Sequence, residues 1–216
     1  MMQYTQDYDE AIPLSSYGTG SGAYTQGLRG YAGRIMPYVK STQVFVCPST
    51  ELKNATISYA GSGNPDKDDR FLASFVSPSK TIALMEFWGN PFNITSPNED
   101  GSPRFGDDGQ EVDPGWSGDS RSSRLVTGPL SSGWVDDTPF TGFPEGRHLN
   151  GSNWLFFDGH AKWLKGSAVS RGRSANLPEC NQGNVPAIAG CNRIYSQTER
   201  QAAGTGSAFT ATFSVR

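Results

Sequence analysis

No stretch of this 216-residue chain approaches the roughly eighteen consecutive apolar residues that a membrane span requires. The opening residues, Met1 to Glu10, hold neither the basic nor the apolar block of a secretion leader, so the chain as given reads as soluble. Charge is scarce: 18% of residues are charged, the formal net charge is −3 and the isoelectric point lies near 5.4. A basic stripe for nucleic acid and a polybasic segment for anionic lipid are both lacking, and neither partner is expected. Histidine is confined to His148 and His160, and the three cysteines include no close pair, so no zinc-type spacing is present and no metal ligand is assigned. No serine or cysteine sits in a nucleophile-elbow setting, and no internal repeat is visible.

What the chain does have is glycine (26) and proline (14), together with 12% aromatics, which is the composition of a loop-rich β protein. The most informative segment is Asn153-Trp-Leu-Phe-Phe-Asp-Gly-His-Ala-Lys-Trp-Leu164, preceded by His148. Asp158-Gly159 between two short apolar runs predicts a two-residue hairpin turn, because both turn positions need positive φ. That turn would set Phe156 opposite Ala161 and Trp154 opposite Trp163 on one apolar packing face. Phe157/His160, Leu155/Lys162 and Asn153/Leu164 would share the other.

Elsewhere, residues 1 to 9 read as the last turns of a helix, with Met1, Met2, Thr5 and Tyr8 on one face, ended by acidic residues and Pro13. Leu28 to Lys40 carries Leu28, Tyr31, Ile35 and Val39 at helical spacing, although Gly30, Gly33 and Pro37 keep that helix short. Gln43–Cys47 and Thr56–Ala60 read as short strands, and Lys80–Phe87 as a central strand. Residues 89–146 are dominated by Gly, Pro, Asp and Ser, too long for an ordinary connection. A short helix near Asn192–Gln201 and a half-buried strand over Ala208–Val215 complete the pattern, with Phe209, Ala211, Phe213 and Val215 on the covered side.

Cys180 and Cys191 enclose a short segment that a disulfide would stabilise by about 3 kcal/mol, which implies an oxidising compartment. Cys47 is then left over, either as a small buried hydrophobe or as half of a bond to a cysteine outside this sequence. His148 and Asp158 suggest an acid/base pair, but a turn at Asn150-Gly151 would put His148 opposite Asn153. Five strand residues at about 3.3 Å each would then separate it from Asp158. No catalytic residue is assigned: Asp158 is read as a turn former and His148 as a polar tie. Loop carboxylates (Asp66, Asp68, Asp69, Asp107, Asp108, Asp119, Asp136 and Asp137) offer hard oxygens for Ca²⁺ but match no Ca²⁺ loop, and no cofactor is assigned beyond that calcium option. Trp88, Trp116 and Trp134 lie in or near the loop-rich half, where indoles bind sugar faces or pack within a fold.

The spacing of His148, nine residues, then Asp158-Gly159 resembles the C-terminal signature of a large bacterial family of type IV prepilin-like proteins. Tyr4-Thr-Gln-Asp-Tyr-Asp-Glu10 resembles the segment that ends that family's long N-terminal helix. Pro37-Tyr-Val-Lys40, Val44-Phe-Val-Cys-Pro48 and Ser77-Pro-Ser-Lys-Thr81 resemble its central strands and turns. The likeness covers roughly residues 1–90 and 145–170, in the same order. Family members also carry a basic leader, an apolar helix and usually a cysteine ahead of the Tyr-x-Gln-Asp-Tyr-Asp segment, none of which lies in this chain. The resemblance therefore implies a pilin-like protein without most of its N-terminal helix, and a Cys47 without its partner.

The resulting expectation is an α+β, pilin-like head over residues 1–216, with an antiparallel sheet packed on the end of an N-terminal helix. Residues 1–10 would be the residual helix, 89–146 a loop-rich insertion and 147–216 the C-terminal hairpin and strand region. Its role would be that of a non-enzymatic structural subunit of an extracellular or cell-surface type IV pilus-like filament or pseudopilus. Its partners would be copies of itself, other pilins or secretion-apparatus subunits, with a membrane reached only through the missing helix. The rival is a secreted carbohydrate-binding or carbohydrate-processing domain using the loop tryptophans and carboxylates.

Overall fold

The computed structural model describes residues 1–13, 30–62, 71–91, 93–95, 104–105, 126–128, 146–170, 177, 179, 204–206 and 208–214. Cys180, Cys191, the loop aspartates, Trp116, Trp134 and the helix expected near 192–201 lie outside them. Within them the architecture is mixed α+β. Two short helices, α1 (Met2–Asp7) and α2 (Tyr31–Val39), accompany a five-stranded sheet. Its strands are β1 (Ile57–Ser62), β2 (Ile82–Asn90), β3 (Arg104–Phe105), β4 (Ser152–Phe156) and β5 (Ala161–Leu164), in the order β3-β1-β2-β4-β5. The β1–β2, β2–β4 and β4–β5 pairs are antiparallel, while β3 runs parallel to β1 at the edge.

The central strand expected over Lys80–Phe87 forms as β2, hydrogen-bonded on both sides. Its continuous apolar character suits a strand covered on both faces. Ile82, Met85 and Phe87 enter the main core with Ile57, Ala60, Trp154 and Phe156, and Tyr4 of α1 and Tyr31, Ala32 and Ile35 of α2 close over it. Each such large apolar side chain, fully buried, contributes about 1.5–3 kcal/mol. A register irregularity between Ile82 and Leu84 turns Ala83 toward a second cluster with Ile12, Phe75 and Phe157.

Six residues are too few for a self-supporting helix, so α1 depends on its contacts. Its inward residues are Tyr4 and Thr5, whereas Met2 and Tyr8 are exposed, so the expected Met1/Met2/Thr5/Tyr8 face is rotated. The cause is an aromatic group: Tyr4 packs edge-on against Tyr38 of α2 and Tyr8 stacks on Tyr4 from outside. Tyr38 Oη donates to Asp7 Oδ2 at 2.9 Å, joining the helices, and Tyr31 Oη donates to the Tyr59 carbonyl at 2.6 Å, fixing α2 to β1. The Asp7 carboxylate, accepting that hydrogen bond, pushes the Tyr38 hydroxyl up to about 12.

Gln43–Cys47 is not a strand. Thr42–Phe45 forms a 3-10 turn started by Ser41, whose hydroxyl accepts the Gln43 N–H at 3.3 Å, and Phe45 goes into the core while Val44 stays exposed.

The largest correction concerns the hairpin. Phe156 N–H donates to the His160 carbonyl and Gly159 N–H to the Phe156 carbonyl, so the loop is Phe157-Asp158-Gly159, three residues long. Asn153 therefore faces Trp163, Trp154 faces Lys162 and Leu155 faces Ala161, one residue away from the expected pairing. Phe157 is the cause. Its ring packs on Phe75 in the second cluster and its N–H donates to the Thr81 carbonyl, so it belongs to the side of β2 and is lost to the pairing with β5. A slip of one residue turns a whole strand over. Trp154 and Phe156 keep their places in the core, but Ala161 and Trp163 face outward and Leu164 takes the covered position.

The two-residue turn with both residues at positive φ is present one strand earlier, at Leu149-Asn150, with φ of 52° and 64°. It pairs His148 with Gly151, not with Asn153.

The C-terminal run also departs from expectation. Ala211–Thr212 (β7) pairs in parallel with Val169–Ser170 (β6), and Thr212 bridges to Thr81 at the start of β2. Thr212 and Ser214 are as buried as Phe213, so this segment is covered on both sides. Its polar groups are satisfied internally: the Thr81 hydroxyl donates to the Ser214 carbonyl, and the Ser214 N–H donates to Thr212 Oγ1.

Candidate functional site

A single carboxylate lies inside the apolar run of β2. Glu86 is fully buried, and burying a carboxylate costs several kcal/mol unless donors surround it. Four groups do. Oε1 accepts hydrogen bonds from the Asn153 backbone N–H at 3.2 Å and from Asn153 Nδ2 at 2.9 Å. His148 Nε2 lies 3.2 Å from the same oxygen, and Arg147 Nη1 lies 4.0 Å from Oε2. The one-residue shift of the hairpin and the Leu149-Asn150 turn deliver these donors, since they bring Asn153 and Arg147-His148 over the middle of β2.

Arg147 is almost as buried as Glu86. Its Nη2 donates to the Phe87 and Trp88 carbonyls at 3.0 and 3.2 Å, while among the described residues Nη1, Nε and Glu86 Oε2 have no hydrogen-bond partner. The two side chains therefore balance charge at a distance without closing a two-pronged bridge.

Cys47 arrives from the segment that follows α2. Its N–H donates to the buried Ser58 hydroxyl at 2.6 Å, which fixes the backbone, and its Sγ lies 3.4 Å from His148 Nε2. Cys47 is buried and unbonded to another cysteine among the described residues. The donor atoms of Cys47, Glu86 and His148 all lie within 4.8 Å of one another. Tyr59 borders the group. Burial, then Cys47 and Glu86, push its hydroxyl up to about 12, with Arg147 pulling the other way, so at neutral pH it stays a protonated donor.

The His148 end is held from outside. Trp163 Nε1 donates to the His148 carbonyl at 2.8 Å, and the indole lies against Gly151, where a Cβ would fall 2.5 Å from its ring. Only glycine admits that approach. The His148 side chain keeps 27% of its surface exposed, while Glu86 has none, so the cluster meets solvent at the imidazole.

His148 and Asp158 are not brought together as a pair. His148 engages Glu86 and Cys47, whereas Asp158 Oδ1 accepts the His160 N–H at 3.1 Å and lies 2.6 Å from His160 Nδ1 at the hairpin tip. The expected packing face is divided: Trp154 and Phe156 lie in the core, and Ala161 and Trp163 lie on the outer side. Spacing along the chain did not indicate Glu86, Arg147 or Asn153, nor Cys47 and His148 as neighbours. One signal was present. A lone glutamate within an otherwise apolar central strand must find a buried partner, and Arg147-His148 is the basic pair beside the hairpin.

Comparison of the chain with family models, with curated proteins and with solved structures returns no match.

Proposed function

We propose that this chain is the head of a type IV pilin-like structural subunit, acting in an extracellular or cell-surface filament or pseudopilus and not as an enzyme. The observation that carries this reading is the seating of α1: Tyr4 enters the core shared with Trp154 and Phe156 of the antiparallel strands. A helix laid against one face of an antiparallel sheet is the layer order such a head requires. The His148…Asp158-Gly159 spacing supports it as well. That interval contains β4 with a turn at each end, one turn directing His148 toward Glu86 and the other carrying the chain into β5.

Copies of a head joined by heterologous contacts build a helical filament when the rotation does not close. The 89–146 insertion is the proposed contact surface. The C-terminal strand β7 is buried on both sides and is not proposed as a contact surface. Partners are further copies of this chain, other pilins or secretion-apparatus subunits, and a membrane only through an N-terminal helix.

Immunogold labelling of the native protein on its own cells tests the reading, together with the coding sequence upstream of Met1. Labelled fibres, or envelope-bound label co-purifying with other pilins, are expected, and so is a leader followed by an apolar helix. A freely secreted monomer preceded by an ordinary secretion signal would overturn it, and glycan binding by that monomer would favour the carbohydrate-binding rival.

A further inference from the structure

We propose that Cys47, Glu86 and His148 form a three-ligand site for a divalent cation of the zinc class. The proposal is independent of the pilin-like reading. It begins from a convergence: a single ring nitrogen, His148 Nε2, faces both Glu86 Oε1 at 3.2 Å and Cys47 Sγ at 3.4 Å. In a thiol–imidazole–carboxylate relay the acid and the nucleophile engage opposite nitrogens of the ring. Here they share one. A thiol and a carboxylate gathered on one ring nitrogen suit ligands of a shared ion better than a proton relay.

The distances fit the ion. Zinc bonds of about 2.3 Å to sulfur and about 2.0–2.2 Å to nitrogen and oxygen, at tetrahedral angles, place S and N about 3.6 Å apart and N and O about 3.4 Å apart. The two His148 separations are each shorter by about 0.2 Å, and Cys47 Sγ and Glu86 Oε1 lie within 4.8 Å of each other, so a small side-chain adjustment would bring the three donors onto one ion. The donor set points the same way. One thiol, one imidazole and one carboxylate suit a borderline cation, whereas Ca²⁺ and Mg²⁺ take oxygen ligands almost exclusively.

The ligands are held in advance. Asn153 donates twice to Glu86 Oε1, Ser58 anchors the Cys47 backbone, and the His148 backbone is clamped by its bridge to Gly151 and by Trp163. Such outer contacts orient ligands and raise affinity. Arg147 works against the cation by charge, but its nearest approach to Glu86 is to Oε2, the oxygen turned away from the His148 contact, and its Nη2 is committed to backbone carbonyls. Three protein ligands leave a fourth position, which falls to water on the exposed His148 side. On binding, the Cys47 thiol proton leaves to solvent and a metal–sulfur bond takes its place, with no change of oxidation state. The ion would join the segment after α2, the central strand and the turn before β4, three parts of the chain far apart in sequence.

Metal-free whole chain titrated with Co²⁺ as a spectroscopic probe, then with Zn²⁺ as competitor, tests the site. One cobalt per chain is expected, with a sulfur-to-cobalt charge-transfer band in the near ultraviolet and intense tetrahedral visible bands, all bleached by one equivalent of zinc. Cys47→Ser should lose the charge-transfer band, and His148→Gln should lose tight binding. A Cys180→Ser/Cys191→Ser double variant should keep both. Should Cys47→Ser fail to fold, zinc protection of Cys47 from alkylation in the wild-type chain reads the same contact. No thiolate band in the wild type, a band that survives Cys47→Ser, or alkylation of Cys47 unaffected by zinc would each overturn the proposal.

Discussion

Trp154 and Trp163 stand on the two arms of one hairpin and face opposite sides of the sheet. Trp154 is fully buried, donates its indole N–H to the Leu164 carbonyl at 3.2 Å and meets Phe213 edge-on. Trp163 is 43% exposed and covers the turn that carries His148. The same residue type thus serves the core in one arm and the outer cluster in the other.

That division predicts unequal substitutions. Trp154→Ala should cost about 3–5 kcal/mol, as truncation of a buried aromatic does. Trp163→Ala should cost about 1 kcal/mol or less, the net worth of one hydrogen bond at the surface. Urea midpoints measure both, and equal losses would contradict opposite facing. Acrylamide quenching of the same variants should show the accessible share of the emission falling with Trp163→Ala and rising with Trp154→Ala.

The hairpin tip makes a second prediction. Gly159 has φ of +92°, and a Cβ there would meet the Met2 side chain at 3.0 Å. The side chain of Met2 can move, but the backbone conformation cannot be relieved, so Gly159→Val should destabilise by about 1–3 kcal/mol. Asp158→Asn keeps an oxygen to accept the His160 N–H and should cost less than about 1 kcal/mol. Indistinguishable melting temperatures for the two variants would refute the positive-φ assignment.

A third prediction concerns the buried charges. Arg147→Met removes the basic group beside the buried Glu86 and the Nη2 donor to the Phe87 and Trp88 carbonyls, of which Trp88 keeps the Thr50 hydroxyl. A loss of about 3–5 kcal/mol is expected. The double variant Glu86→Gln/Arg147→Met should recover part of it, because the buried carboxyl that lost its basic neighbour is gone while the Nη2 donor stays missing. A single-variant loss below about 1 kcal/mol in chemical denaturation would show that the pair carries no such weight.

Composition and local pattern determined much of this protein. The glycine-rich, weakly charged chain was legible as loop-rich with strands. The apolar run of β2, the helix over 31–39, the strand from residue 57 and a reversal near Asp158-Gly159 were all readable, because periodicity and turn chemistry are local. The length of that reversal was decided only in three dimensions. Asp158-Gly159 suits a two-residue turn as well as the three-residue loop that forms, and the difference lies in Phe157 finding Phe75 and the Thr81 carbonyl, contacts from a distant part of the chain. The grouping of Cys47, Glu86 and His148 was decided there too. No spacing rule reaches across three separate segments, and their donor atoms meet only because strand pairing sets β4 beside β2 and lays the turn before it over Glu86.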